Sequence, residues 1–272
     1  MKPVEVYDID KNIWLEYDPP PIEIHHFQPV AFGHLIYILG AMSGPYPYEK
    51  PIEHIVIYDT QKHQWIRGAD IPESRRRGST GAVQTGNYIY IFCGIKNGHI
   101  GDHKKWADRY DLISHEWVEL SDAPRERDHF QAEIVDNKIY LIAGRTTKGL
   151  DNAFKNTIRE VDIYDIQNNS WSTGPNPIPT ERAGVAVSKF QQNIFVVGGE
   201  SFYQTKAHSE VEILNTENLS WLTFENLPIG RHGTGMSVVN GKMYICTGGT
   251  HQGGGPELGD LWKVNVDTSM QL

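Results

Sequence analysis

Arginine and histidine recur at fixed distances from five prolines, and these are the side chains from which chemistry would be built. Pro21, Pro72, Pro124, Pro179 and Pro228 keep a common beat. Three positions after them stand Ile24, Arg75, Arg127, Arg182 and Arg231; the next positions hold His25, Arg76, Asp128, Ala183 and His232, and then His26, Arg77, His129, Gly184 and Gly233. A guanidinium offers paired donors at a fixed angle, so a set of arginines suits a carboxylate, sulfate or phosphate. An imidazole titrates near neutrality and can act as a general base or a metal ligand. A second group follows five apolar runs that end in glycine. It includes His99, His103, Trp106, Arg145, Glu200, Tyr203, His208 and His251.

Something regular must hold these positions, and the chain repeats itself to do so. Tyr7-Asp8 precedes Trp14, Tyr58-Asp59 precedes Trp65, Tyr110-Asp111 precedes Trp117, Tyr164-Asp165 precedes Trp171, and Leu214-Asn215 precedes Trp221, each Trp seven residues after the first member. The period is therefore about fifty residues. Between the tryptophans run 36–40, 89–94, 139–144, 194–199 and 243–249, all apolar and all closed by glycine. Gly86-Asn87, Asp136-Asn137 and Asn240-Gly241 fit tight hairpin turns. Each period reads as four short antiparallel strands with no competing helical spacing. One such unit leaves both faces apolar, so units must stack to bury them.

Composition narrows the classes. The chain has 272 residues, 39% hydrophobic and 22% charged, with 26 Gly and 15 Pro. That is too apolar for disorder, and no apolar run approaches the roughly 20 residues of a membrane span. A net charge of −9 without a basic tract argues against nucleic acid. Cys93 and Cys246 lie far apart and read as buried thiols rather than a disulfide. Met1-Lys2-Pro3-Val4 leads straight into a strand-like stretch, so no signal peptide is expected and a cytoplasmic location is the default. A monomer without membrane attachment is expected.

The glycine-ended strand, the Tyr-Asp pair and the Trp seven residues later resemble the kelch motif, and the resemblance covers nearly the whole chain. It implies an all-β fold, a kelch-type β-propeller of four-stranded antiparallel blades in one domain. The repeats fall at approximately 22–68, 73–120, 125–174, 180–224 and 229–267. Residues 4–18 are expected to close the ring by completing the blade begun at 234–249, with 261–266 as an extra strand. Five blades are preferred; a six-bladed type with an incomplete first blade is the alternative. The resemblance also implies that the proline-led and post-glycine loops open on one side of the disc. There the arginines would ring the mouth of the central channel with histidines between them.

Two functions follow as expectations. The first is a binding module that holds an anionic carbohydrate or an acidic protein segment. Its contacts would be Arg75, Arg76, Arg127, Arg182, Arg231, His25, His26, His129, His232, Trp106, Tyr203 and His251. The second is a lyase or epimerase acting on an acidic sugar, with His25, His129 or His232 as base beside Arg127 or Arg231. Zinc or manganese would need three or more converging ligands, for which His25, His26, His129, His232 and His251 come from different repeats. No local His-Glu-x-x-His pattern supports a metal, so no cofactor is expected. The cysteines end core strands, against a copper centre with a Tyr–Cys crosslink. Gly253-Gly254-Gly255 lacks the Lys-Ser/Thr ending of a phosphate loop.

Overall fold

In a computed structural model the chain is a five-bladed β-propeller; residues 1–149, 151 and 153–266 are described. Residues 267–272, and with them the last residue of the fifth expected repeat, lie outside the described residues. Blade 1 comprises Val30–Phe32, Leu35–Ile38, His54–Asp59 and Gln64–Asp70, and blade 2 comprises Gly81–Thr85, Tyr88–Phe92, Ala107–Asp111 and Trp117–Glu119. Blade 3 is built from Gln131–Val135, Lys138–Ile142, Asp162–Asp165 and Ser170–Thr173. Blade 4 is built from Ala186–Phe190, Asn193–Val197, Val211–Asn215 and Trp221–Thr223. Every pairing is antiparallel, and blade 5 has three strands, Gly235–Val239, Lys242–Cys246 and Leu261–Asn265.

The recurrent motif has a physical reading. Its Tyr and Trp are cross-strand partners, with ring centroids 4.9 Å apart for Tyr58–Trp65 and 5.0 Å for both Tyr110–Trp117 and Tyr164–Trp171. The intervening acid caps the turn: Asp59 Oδ1 accepts from the Gln61 and Lys62 amides, and Asp111 and Asp165 do the same in their blades. The indole then reaches the preceding unit. Trp171 Nε1 donates to the Ser121 carbonyl at 2.8 Å, and Trp221 Nε1 to that of Asn176 at 3.1 Å. The motif thus pins its hairpin, and through Trp65, Trp171 and Trp221 it ties that hairpin to the preceding unit.

Apolar faces meet between blades, so the core is a series of layers around the axis. One layer joins blades 1 and 2 through Ile38, Leu39, Ile55, Ile89 and Ile91. Equivalent layers join blades 2 to 3, 3 to 4 and 4 to 5. At the last seam the structure differs from the sequence expectation. Val4–Asp8 and Ile13–Tyr17 form their own two-stranded sheet, and Leu261–Asn265 supplies the third strand of blade 5. The hairpin bridges blades 5 and 1 by side chains: Tyr7 packs on Tyr244 at 6.4 Å, Tyr17 stacks on His63 at 3.6 Å, and Trp65 Nε1 donates to Asp18 O at 2.9 Å. The strand 261–265 was available in register along Lys242–Cys246, so that edge was taken by the nearer segment. Among the described residues no helix is long and apolar enough to cross a membrane.

Candidate functional site

Both loop sets do open on one side. In each blade the proline-led loop meets its own post-glycine loop through an isolated antiparallel bridge: His25 with Met42, Gly78 with Ile95, Asp128 with Arg145, Ala183 with Glu200, and His232 with Gly249. These bridges correct one alignment. The 3-10 turn Glu73–Arg75 adds two residues to the second loop, so Arg77, not Arg75, matches Arg127, Arg182 and Arg231. Ser79 accordingly matches His26, His129, Gly184 and Gly233.

The arginines do not ring the channel mouth. Arg77, Arg127, Arg182 and Arg231 are among the most deeply buried side chains in the protein. Each spans the end of its own blade. Arg127 donates to the Leu141, Ala143 and Glu160 carbonyls and to Asp162; Arg182 donates to Val196 O, Gly198 O and Glu212. Arg77 pairs with Asp108 at 2.7 Å, and Arg231 forks onto Asp260 at 2.9 Å for both contacts. The backbone carbonyls of Arg127, Arg182 and Arg231 accept from the preceding blade, as in Gly94 N to Arg127 O at 2.9 Å and Gly199 N to Arg231 O at 2.8 Å. Arg75 bonds Asp108 and lies 4.3 Å over the Trp106 ring, and Arg76 faces Glu53 at 3.6 Å. Trp106 is also approached by Arg77, Lys96 and Lys104, so cations already crowd its ring. Tyr203 stands exposed on the rim, and His251 lies in the short strand Gly249–His251.

The histidines behave differently. His25, His26, His129 and His232 are brought together around the axis. A channel of about 480 Å³ is lined by one or more residues of every blade, among them His26, Ser79, His129, Gly184 and Gly233. It continues outward into a chamber of about 560 Å³ bounded also by Tyr46, Glu49, His99, Arg145, Glu200 and His232. At their junction His26 lies 5.0 Å from His99 and 4.7 Å from His129, centroid to centroid, and His99 lies 5.1 Å from His129.

Three buried carboxylates support this cluster. Glu49 Oε1 accepts from His99 Nδ1 at 2.9 Å. Asp128 accepts from His129 Nδ1, faces His103 Nε2 at 2.6 Å, and accepts from the Thr147 amide and hydroxyl, each at 3.0 Å. Glu200 pairs with Arg145 at 2.8 Å and accepts the Gly253 amide at 2.8 Å. Burial opposes the Asp128 charge, yet His129, His103 and Arg145 outweigh it and hold the carboxyl well below its usual range. Burial, reinforced by Arg145, pushes His129 down to about 4 despite Asp128; burial and the neighbouring histidines hold His26 well below its ordinary value. At neutral pH these two rings are uncharged. Three carboxylates therefore face one arginine, and the interior of the mouth favours a cation over an anion.

Sequence reasoning missed Glu49 and did not foresee that His99, Arg145 and Glu200 join the axial set. No spacing rule reveals Glu49, which reaches His99 only because the loops of blades 1 and 2 fold against each other, with the His99 amide donating to Pro47 O.

Fold and motif together define a kelch propeller, and the comparisons agree. The KLHDC2/KLHL20/DRC7 Kelch-repeats domain matches residues 26–248, so the chain belongs to the kelch-repeat family. It is similar to Kelch-like protein terF of Aspergillus terreus, 26% identical over 253 residues, covering 90% of this chain and 54% of that protein. It is also similar to human Kelch-like protein 15, 19% identical over 264 residues, covering 89% of this chain and 41% of the relative. Alpha-scruin of Limulus polyphemus is 22% identical over 236 residues, covering 86% of this chain and 25% of that protein. The chain spans about half or less of the length of these relatives. Kelch propellers are generally protein-binding modules.

Proposed function

We propose that this propeller holds an acidic segment of a partner protein on the rim formed by its second, third and fourth post-glycine loops. The observation that carries the reading is the charge and chemistry of that rim. Residues 94–106, 144–160 and 199–210 contain eight Lys and Arg against five Asp and Glu, in a chain of net charge −9. Lys105, Lys148, Lys155, Arg159 and Lys206 are exposed, and so are Ile100, Phe202 and Tyr203. Lys155 sits 5.2 Å over the Phe202 ring, so apolar and cationic contacts lie side by side. Large exposed aromatics beside cations on rigidly held loops suit a peptide with alternating acids and apolar residues. An acidic sugar would want reachable arginine forks, and the buried arginines are already matched within their own blades.

The test is fluorescence polarisation with a labelled twelve-residue peptide rich in Glu and Phe, run beside a labelled oligogalacturonate. The peptide is expected to bind, to weaken as salt rises, and to lose about tenfold or more in affinity with Lys148→Glu and Lys155→Glu combined. Binding of the oligogalacturonate alone, or peptide binding indifferent to both substitutions, overturns the proposal.

A further inference from the structure

We infer that His26, His99 and His129 form a binding site for a divalent first-row transition ion, zinc foremost, where the axial channel opens into the outer chamber. The three rings come from three blades: His26 from the loop entering blade 1, His99 from the post-glycine loop of blade 2, and His129 from the loop entering blade 3. One ring nitrogen from each lies within 4.8 Å of the others. Zinc binds imidazole nitrogen at about 2.0–2.1 Å, so tetrahedral ligand nitrogens stand about 3.3 Å apart. Small ring rotations, of about an ångström at the nitrogen, close the set.

The surroundings are those of ligands rather than of packed core histidines. His99 Nδ1 donates to Glu49, and His129 Nδ1 donates to Asp128. Glu49 and Asp128 are buried. A carboxylate on Nδ1 fixes the tautomer that leaves Nε2 with its lone pair free, which is how metal-binding histidines are ordinarily held. His25 Nε2 donates to the Gly44 carbonyl at 3.2 Å, so His25 Nδ1 accepts from His26 Nδ1 at 2.5 Å and His26 Nε2 is left free. The independent observation is an orphan: His129 Nε2 is buried and has no hydrogen-bond partner. A buried polar nitrogen left unpaired is costly, and a metal ion removes that cost.

Charge and shape agree. Glu49, Asp128 and Glu200 exceed Arg145 as the buried charges around the three rings, so an arriving dication is welcome. Three imidazoles select zinc, cobalt, nickel or copper over magnesium and calcium, which prefer oxygen. Three protein ligands leave a fourth position, and all three rings line the 560 Å³ chamber. An external ligand could therefore reach the ion. The site differs in place and chemistry from the rim proposed for an acidic partner, and neither proposal requires the other.

The experiment uses tag-free protein stripped with chelator, then titrated with zinc by calorimetry and with cobalt by visible absorption. One ion per chain is expected, and cobalt is expected to give the intense bands of four-coordinate geometry. His99→Gln and His26→Gln should each weaken zinc binding by more than about 100-fold. Glu49→Gln, which weakens the support of His99, should weaken it by about 10–100-fold. His34→Ala, an exposed histidine of a hairpin turn in blade 1, should leave it unchanged. Circular dichroism confirms folding, and if one histidine variant does not fold the other carries the test. A wild-type chain that binds no stoichiometric zinc or cobalt overturns the inference. So does binding that keeps its affinity in a folded His26→Gln or His99→Gln variant.

Discussion

The buried arginines and the buried histidines of this propeller sit in neighbouring loops and follow different rules. Arg77, Arg127, Arg182 and Arg231 occupy one position in four successive blades and each meets the end carbonyls of its own second strand and a carboxylate of its third-strand region. The histidines do not repeat: the place of His26 is taken in later blades by Ser79, His129, Gly184 and Gly233. A residue that recurs in four blades of five, with Ile24 in its place in the first, meets a demand of the blade architecture. One that appears in two blades of five answers to something outside blade architecture. The charges agree with this division, since the arginines are neutralised within their blades while the mouth keeps an excess of carboxylate.

The largest expected effect breaks an anchor. Arg182→Met removes the cation from Glu212, whose side chain is 5% exposed, and strips donors from Val196 O and Gly198 O. Stranding a buried carboxylate costs about 3–5 kcal/mol. Arg231→Met should cost less, about 1–2 kcal/mol, because its partner Asp260 is 46% exposed and water can take over. Urea unfolding of both variants measures the difference. Equal losses would mean that the anchors do not work by desolvated pairing.

The same division explains what could be read in advance. Tyr58, Asp59 and Trp65 carry their meaning locally, because a cross-strand pair and an Asx turn need only fixed spacing, and repetition multiplied that signal. The arginines were equally visible by spacing, but spacing does not report burial. Asp108, Asp162, Glu212 and Asp260, which consume their charge, follow the arginines at a distance of about thirty residues across a loop of variable length. The two-residue insertion at Glu73–Arg75 also hid Arg77 behind Arg75. At the mouth the histidine bias toward one face was legible, since loop membership follows from the repeat. Which rings meet was not, because His26, His99 and His129 arrive from three blades and Glu49 from the turn of a fourth segment. The strand pairing expected of residues 4–18 with blade 5 was not met for a related reason: two segments carried the same strand pattern, and the pattern cannot say which of them wins the edge of Lys242–Cys246.

A middle-sized effect tests how closely the anchors draw the blades together. Gly198 has φ of 65°, and a Cβ there would stand 2.2 Å from the carbonyl oxygen of Arg231 in the next blade. Gly198→Ala must therefore both adopt a left-handed backbone and push blades 4 and 5 apart, for about 2–3 kcal/mol. Gly33, with φ of 59° and nothing within 4 Å of its Cβ position, supplies the control. Gly33→Ala should cost only the conformational part, about 1 kcal/mol. Melting temperatures of the two variants read the difference directly, and equal shifts would show that the close approach contributes nothing.

The smallest effect asks whether the anchor layer is dry. Cys93 is fully buried; its carbonyl accepts from Arg77 Nε at 2.7 Å, and its thiol faces the Arg125 carbonyl at 3.6 Å. Burial pushes the thiol up from 9.0 to about 12, although Arg127 and Arg77 pull the other way. In the unfolded chain the thiol loses its proton above pH 9, while the folded protein keeps it. The unfolded state then binds fewer protons, so stability falls as pH rises through this window. Between pH 9 and pH 10 Cys93 should contribute a loss of about 1 kcal/mol, added to the loss from buried tyrosines such as Tyr164, itself pushed up to about 12. Urea midpoints at pH 8, 9 and 10 under reducing conditions measure the slope, and Cys93→Ala should reduce it by the Cys93 share. A slope as steep in Cys93→Ala as in the wild type would mean that the thiol titrates alike in the folded and unfolded chain, so that water reaches it and the arginine pairs on either side. The contrast between a sealed anchor layer and an open histidine mouth would then fail at its structural end.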